Sequence, residues 1–411
     1  MNSVLNAISN TMIKKGLVDK SKLVDIQNSI SLSEDFYMYA KNFKNAGWKV
    51  AHEMVKDANI AKLDHMFFPL TFLYRHSIEL ILKAIAFKYI KDENDRIAFL
   101  KDTFHNLSTL LERIEPFIKT ALINDKECHQ WLKLLLESMN DIDKESDSFR
   151  YPFSIVEDKY SNVRYRAKYF FEKQTHIDLE KLVNKMEKAF NILDTYYLEN
   201  LTTDNEYKEY NAFFLEEGGD YYGQSVIGFG YNRSDMYIYI NAYQESAKFL
   251  YNESIDIREE MNGNFFPLCY LYKNALELSL KDIILITYPR QGLEKIYKEK
   301  HNVLKLWGCI EKDILKHANK SEDDPYFIEI KDAIKKIHEF DANADRFRYP
   351  IGKKLNYYDA VKKKYHMENY NNFFNKLINF LSGMSAQISD HKDREAEQEM
   401  EMRSYYDYDN Y

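Results

Sequence analysis

The chain has 411 residues, with 57 Lys and Arg against 65 Asp and Glu, and its formal net charge of -8 gives no reason to expect a general nucleic-acid binder. Hydrophobic residues make up 45%, enough for two or three domains with their own cores, and 33 Tyr and 26 Phe build those cores from rings whose hydroxyls need partners. Three Cys have neither metal-site nor disulfide-framework spacing, no apolar run approaches membrane-spanning length without a charge, and the start MNSVLNAISNTMIKK lacks a secretory layout, so a cytoplasmic, reduced, non-membrane protein is expected.

Residues 1–30 read as an N-terminal arm carrying a short amphipathic helix over 4–17. Ser33, Glu34 and Asp35 open a long helix with an apolar stripe through Tyr39, Phe43, Ala46, Val50, Ala51 and Val55, which Gly47 weakens without ending. FFPLTFLYRHSIELILK at 67–83 opens the next helix, with Pro69 in its first turn. It is hydrophobic around much of its circumference as far as Ile90, which places it centrally. Asp102 or Thr103 caps a segment with Leu107, Leu110, Leu111, Ile114 and Ile118 at helical spacing, and a further helix covers 125–139. Pro152 turns Phe149-Arg150-Tyr151-Pro152 into a corner, and a helix over 178–198 closes a first domain, 31–200.

Residues 201–234 lose periodicity and carry five Gly among aromatics, as a linker or small hairpin; the Gly-Lys-Ser/Thr ending of a phosphate loop is missing. A helix over 235–260 then begins a second domain, 235–384, that copies the first. FFPLCYLYKNALELSLK at 265–281 repeats 67–83 with ten of seventeen positions identical, His301-Asn302-Val303 repeats His105-Asn106-Leu107, and Phe347-Arg348-Tyr349-Pro350 repeats 149–152. The displacements are 198, 196 and 198 residues, the mark of a tandem duplication. Residues 385–411 form an acidic flexible tail whose Tyr405, Tyr406, Tyr408 and Tyr411 suit docking on a partner.

The repeated polar residues are the candidate site. Glu79 and Lys83, like Glu277 and Lys281, stand four apart on one helical face, and on apolar helices they need partners. Arg150 and Arg348 are the expected partners, each guanidinium bridging a carboxylate at a corner; a catalytic or ligand role is the alternative. Asp143/Asp147 and Asp341/Asp345 share a helical face if their segments are helical, serving helix termination, pairing with Arg and Lys, or a divalent metal for which no further ligands are identified. His105 and His301 are candidate acids or bases, or helix-start packing. Arg75 and His76 occur only in the first copy, where the second has Lys273 and Asn274, so one repeat can be chemically competent and the other supporting. Lys362, Lys363 and Lys364 are a candidate phosphate-binding cluster on a helical face. No cofactor motif is present, and no metal site is assigned.

Glu79-x-x-x-Lys83, His105-Asn-Leu and Arg150-Tyr-Pro, all repeated in order, resemble the HEPN superfamily of helical domains. The resemblance implies an all-α fold with two antiparallel helical bundles as a pseudo-symmetric intrachain pair. It also implies an RNA-directed toxin or antiphage-defence effector, with a metal-independent RNase activity at a nonstandard site as one form; the alternative is an inactive scaffold or sensor for a protein partner. RNA, and an antitoxin or defence-system protein reached through the tail, are the implied partners, with self-association left open. Active members carry Arg followed after four to six residues by His on a late helix; here the next His after Arg150 is His176, and after Arg348 it is His366. A nonstandard site would combine His105 or His301 for proton transfer with an Arg of either copy for phosphorane charge.

Overall fold

Helical periodicity broken by short polar segments yields a chain that buries helix faces against one another. The computed structural model is predominantly helical, with three two-stranded antiparallel sheets that the all-α expectation omitted. It describes residues 19–26, 31–56, 59–118, 126–161, 163–200, 205–228, 236–341, 344–352, 354–359 and 362–408, with side chains placed up to residue 402.

The first repeat contains α1 (Leu32–Lys56), α2 (Ile60–His65), α3 (Phe67–Tyr89), α4 (Glu93–Thr103), α5 (Leu107–Ile114), α6 (Lys126–Asp143) and α7 (Leu179–Leu198). The second contains α8 (Met236–Ser254), α9 (Arg258–Thr287), α10 (Gly292–Glu299), α11 (Val303–Gly308), α12 (Glu311–His317), α13 (Pro325–Phe340) and α14 (Met367–Tyr408). Strand β1 (Leu23–Ile26) pairs with β6 (Lys363–His366), β2 (Phe153–Glu157) with β3 (Tyr165–Tyr169), and β4 (Thr175–Asp178) with β5 (Gln224–Ile227).

Helices α3 and α9 are the centre. Every residue from Phe67 to Phe87 and from Asn264 to Lys281 is buried, as hydrophobicity around the whole helix requires. α1 packs along α3 and α8 along α9. At Gly47 a Cβ would lie 3.2 Å from the Tyr74 ring, so the glycine admits close approach of α1 to α3 at the cost of helix propensity. The two central helices meet through stacked aromatics: Phe72 on Tyr270 at 4.4 Å, flanked by Phe68 on Tyr239 at 4.3 Å and Tyr39 on Phe266 at 4.8 Å. One hydrophobic cluster therefore runs from Val24 to Ile388 through both repeats.

Several boundaries differ from expectation. The helix expected over 235–260 breaks after Ser254, and α9 starts at Arg258 and passes through Pro267, whereas Pro69 sits in the first turn of α3. Asn106, not Asp102 or Thr103, caps α5, accepting from Thr109 N at 2.9 Å. The described part of the linker is docked: β5 pairs with β4, Ser225 donates to the Leu63 carbonyl, and Trp131 donates to that of Tyr210. Residues 385–408 continue α14 instead of forming a separate arm, anchored by Ser385 on Asp282 and by Lys392 on the carbonyls of Ile286 and Thr287. Residues 4–17 and Tyr411 lie outside the described residues, and the side chains of Tyr405, Tyr406 and Tyr408 are likewise not described. Among the described residues no helix is long and apolar enough to cross a membrane.

Candidate functional site

Arg75, Glu79 and Lys83 stand at successive i,i+4 positions of a fully buried helix, so three charges must be satisfied inside the protein. Glu79 is the hub. Arg75 donates to one carboxylate oxygen, and Lys83 Nζ lies 2.6 Å from the other. His105 Nδ1 is 3.0 and 3.1 Å from the two oxygens, and the Tyr349 hydroxyl donates to Oε1 at 2.6 Å. Arg75 also reaches the His105 carbonyl and lies 3.4 Å from Asp143 Oδ2. Glu277 repeats the arrangement with Lys273 at 3.1 Å, Lys281 at 2.7 Å, His301 Nδ1 at 2.8 Å and the Tyr151 hydroxyl at 2.9 Å.

The tyrosines are exchanged. Tyr349 of the second repeat serves the glutamate of the first, and Tyr151 of the first serves that of the second. The residue after Arg75 or Lys273 completes the exchange: His76 Nε2 is 3.1 Å from the Arg348 carbonyl, and Asn274 donates to the Arg150 carbonyl at 3.3 Å. A carbonyl acceptor requires the proton on His76 Nε2. His76 is fully buried, and desolvation holds it well below the ordinary imidazole value, so the ring is neutral.

This corrects the expected lock. Among the described residues no hydrogen bond or ion pair joins Arg150 or Arg348 to Glu79 or Glu277; the tyrosine beside each arginine makes that contact. Arg150 is held by the Ser146 carbonyl and Asp147, and Arg348 Nε by the Ala344 carbonyl at 3.1 Å, with Asp345 also at 3.1 Å from Nη2. Ser146 and Ala344, equivalent in the repeats, have φ of 62° and 61°, an unfavourable conformation that turns each carbonyl back toward the arginine four residues on. The Asp pairs do not share a helical face: Asp143 ends α6 and accepts from Ser148 N, Asp341 follows α13 and accepts from Arg346 N, and Asp147 and Asp345 lie beyond in the turns. Among the described residues no group of three or more His, Cys, Asp or Glu is placed to hold a metal ion.

Burial alone would raise the Glu79 carboxyl, but His105, Lys83 and Arg75 together outweigh it and keep Glu79 well below the usual carboxylate range. Burial lowers Lys83 despite Glu79, and lowers His105 against the same pull. At His301 the Glu277 charge is the largest influence and raises the imidazole, yet burial with Lys281 and Arg150 leaves it below its ordinary value. A neutral His105 with Nδ1–H on Glu79 leaves Nε2 as an acceptor, the arrangement of a carboxylate-oriented base. The residues before both histidines, Phe104 and Lys300, have φ of 44° and 52°, so the same strained turn presents each imidazole.

His105 borders a cavity of about 250 Å3 walled by both repeats, with Phe36, Leu100, Lys101 and Phe104 from the first and Tyr349 and Ile351 from the second. At the other histidine the β2–β3 hairpin lies over α10, with Tyr165 and Tyr297 rings 5.1 Å apart and the Tyr297 hydroxyl 3.5 Å from Glu157. Tyr349, Tyr151, Phe104 and Lys101 were not among the expected site residues. The two tyrosines were signalled by recurring directly before proline in both copies; nothing in the sequence marked the cavity wall.

The basic cluster is not on a helical face: Lys363 and Lys364 open strand β6 and Lys362 directly precedes it. Lys363 is 3.1 Å from Asp359, while Lys362 and Lys364 stand 3.8 and 3.9 Å from Asp25, about half exposed, where such pairs are weak. No model of a protein family, no curated protein and no solved structure matches the chain.

Proposed function

We propose that the chain is a tandem of HEPN-like helical bundles clasped as a pseudo-symmetric intrachain pair, and that it works as a catalytically inactive scaffold or sensor for a partner protein. The observation that carries this reading is the fate of the candidate catalytic groups: Arg75 and His76 are 0% exposed, Arg150 and Arg348 6%, with His76 bonded across the repeats to the Arg348 carbonyl and each arginine bonded to groups of its own repeat. A substrate phosphate has no route to groups so placed. Residues 389–402 of α14, mostly exposed, offer a surface for a protein partner. The test is incubation of the purified protein with a mixed cellular RNA pool, with and without divalent metal, beside an Arg75→Ala/His76→Ala variant and folding controls. No cleavage by the parent protein is expected; metal-independent cleavage lost in a folded variant overturns the reading.

A second reading is an RNA-directed toxin or antiphage effector with a nonstandard, metal-independent RNase site. It is favoured by one observation, His105 oriented by Glu79 at the cavity. On this reading His105 Nε2 takes the proton of a ribose hydroxyl, and His105→Ala abolishes cleavage in the same assay.

A further inference from the structure

The two histidine sites are built alike, yet they end differently. After Pro152, residues 153–178 are long enough to form the β2–β3 hairpin before β4; after Pro350 the stretch 351–366 is shorter, and its described residues form an isolated bridge, Ile351 to Tyr357, before β6. The hairpin sets Tyr165 against Tyr297 beside the Glu277 site, where the His301 side chain stays 43% exposed; among the described residues no equivalent hairpin flanks the Glu79 site, whose His105 borders the cavity. At the positions equivalent to Tyr297 and Lys300 the first site carries Lys101 and Phe104. Phe104 is 65% exposed beside the cavity in a strained backbone conformation, and Lys101 is exposed and makes no ion pair among the described residues.

We propose that the cavity at His105 binds a free nucleoside monophosphate, whose base takes the place that the hairpin's aromatic ring fills at the other site. Three features of the site select this class. Phe36, Leu100, Phe104 and Tyr349 give broad apolar and aromatic faces, which favour a flat ring system. His105, with Nδ1 committed to Glu79, offers Nε2 as an acceptor for a ring or exocyclic N–H. Among the described residues lining the cavity Lys101 makes no ion pair, while Lys83 is bonded to Glu79 and Asp345 to Arg348, and a single such cation suits one phosphate better than a polyanion, as does the acidic chain. A volume of about 250 Å3 lies below the range of drug-sized pockets and accommodates one base, leaving the phosphate in solvent. Because both repeats wall the cavity, such a ligand would bridge them, which makes the clasp a sensor; to that extent the inference rests on the sensor reading.

The experiment is isothermal titration of the full chain with AMP, GMP, CMP and UMP, and with a single-stranded RNA hexamer, at low salt. Saturable binding of at least one monophosphate at sub-millimolar concentration is expected, weakened about tenfold by Phe104→Ala through loss of a stacking face. Leu100→Trp, which fills the cavity, is expected to abolish it, while Lys300→Ala at the Glu277 site leaves it unchanged; melting curves confirm that each variant folds. No binding of any of the four monophosphates overturns the proposal, as does binding that survives Leu100→Trp in a folded protein. Binding of the hexamer alone also overturns it, in favour of RNA. RNA cleavage in the assay above would overturn the scaffold reading without altering this titration, whereas a flat titration removes the ligand and leaves the clasp standing.

Discussion

The sites around Glu79 and Glu277 use one plan with different cations, and the difference shows how a buried charge is made tolerable. Around Glu79 a fully buried arginine supplies planar donors to the carboxylate and to the His105 carbonyl. Around Glu277 two lysines, 4% and 7% exposed, share the task. An arginine cannot shed its proton in a protein, whereas a buried lysine can neutralise itself, so the first site is the less forgiving of damage.

Removing each glutamate is the sharpest way to break that comparison. Glu79→Ala strands Arg75 and Lys83 and is expected to cost about 3–5 kcal/mol in urea unfolding; Glu277→Ala is expected to cost less, because it strands no arginine. Equal losses would show that cation identity does not matter. Next come the exchanged hydroxyls. Tyr349→Phe and Tyr151→Phe each remove one hydrogen bond to a carboxylate, an expected loss of about 2 kcal/mol apiece, and the two should add because they serve different glutamates.

The pair His76 and Asn274 separates the sites by pH. The folded-state value of His76 is depressed, so the unfolded chain takes up its proton first as pH falls. Stability contributed by the neutral ring is whole above about pH 6.5 and is lost below it, at up to about 1.4 kcal/mol per pH unit for that one group. His76→Asn, copying the second repeat, is expected to flatten the pH 6.5 to 5 limb of a urea-stability profile while leaving the value at pH 8 nearly unchanged. Smallest is the hairpin contact: Tyr165→Ala is expected to cost about 1 kcal/mol in the same measurement by uncovering Tyr297.

The central helices were legible because their signal is local and doubled: seventeen residues apolar on all sides, repeated with their charges in place. The strained corner was legible in part, since proline marks the turn at Arg150 and Arg348. What spacing could not show is which side of the molecule each corner faces. A guanidinium and a phenol are both reasonable partners for a buried carboxylate, and the choice depends on the repeats crossing over, which no intra-repeat distance encodes. The short strands were missed for a related reason. β1 and β6 are some 340 residues apart in sequence, and Tyr165, Ala167 and Tyr169 alternate over too few residues to stand out in a helical chain. The polar end of α14 lacks an apolar stripe, so its helical continuation rests on the anchoring of Lys392 rather than on any periodicity.

Exchanged tyrosines also bear on how the chain could be divided. A cut within 201–204 would give an amino-terminal fragment whose Glu79 lacks its phenol and a carboxy-terminal fragment with the same deficit at Glu277, each with an aromatic face bared at Phe72 or Tyr270. Neither fragment is expected to fold stably by itself, but the two mixed together should reassemble, each supplying the hydroxyl the other is missing. The same complementarity would let two copies of one fragment pair, so a protein half this length could have managed as a homodimer before the gene was doubled.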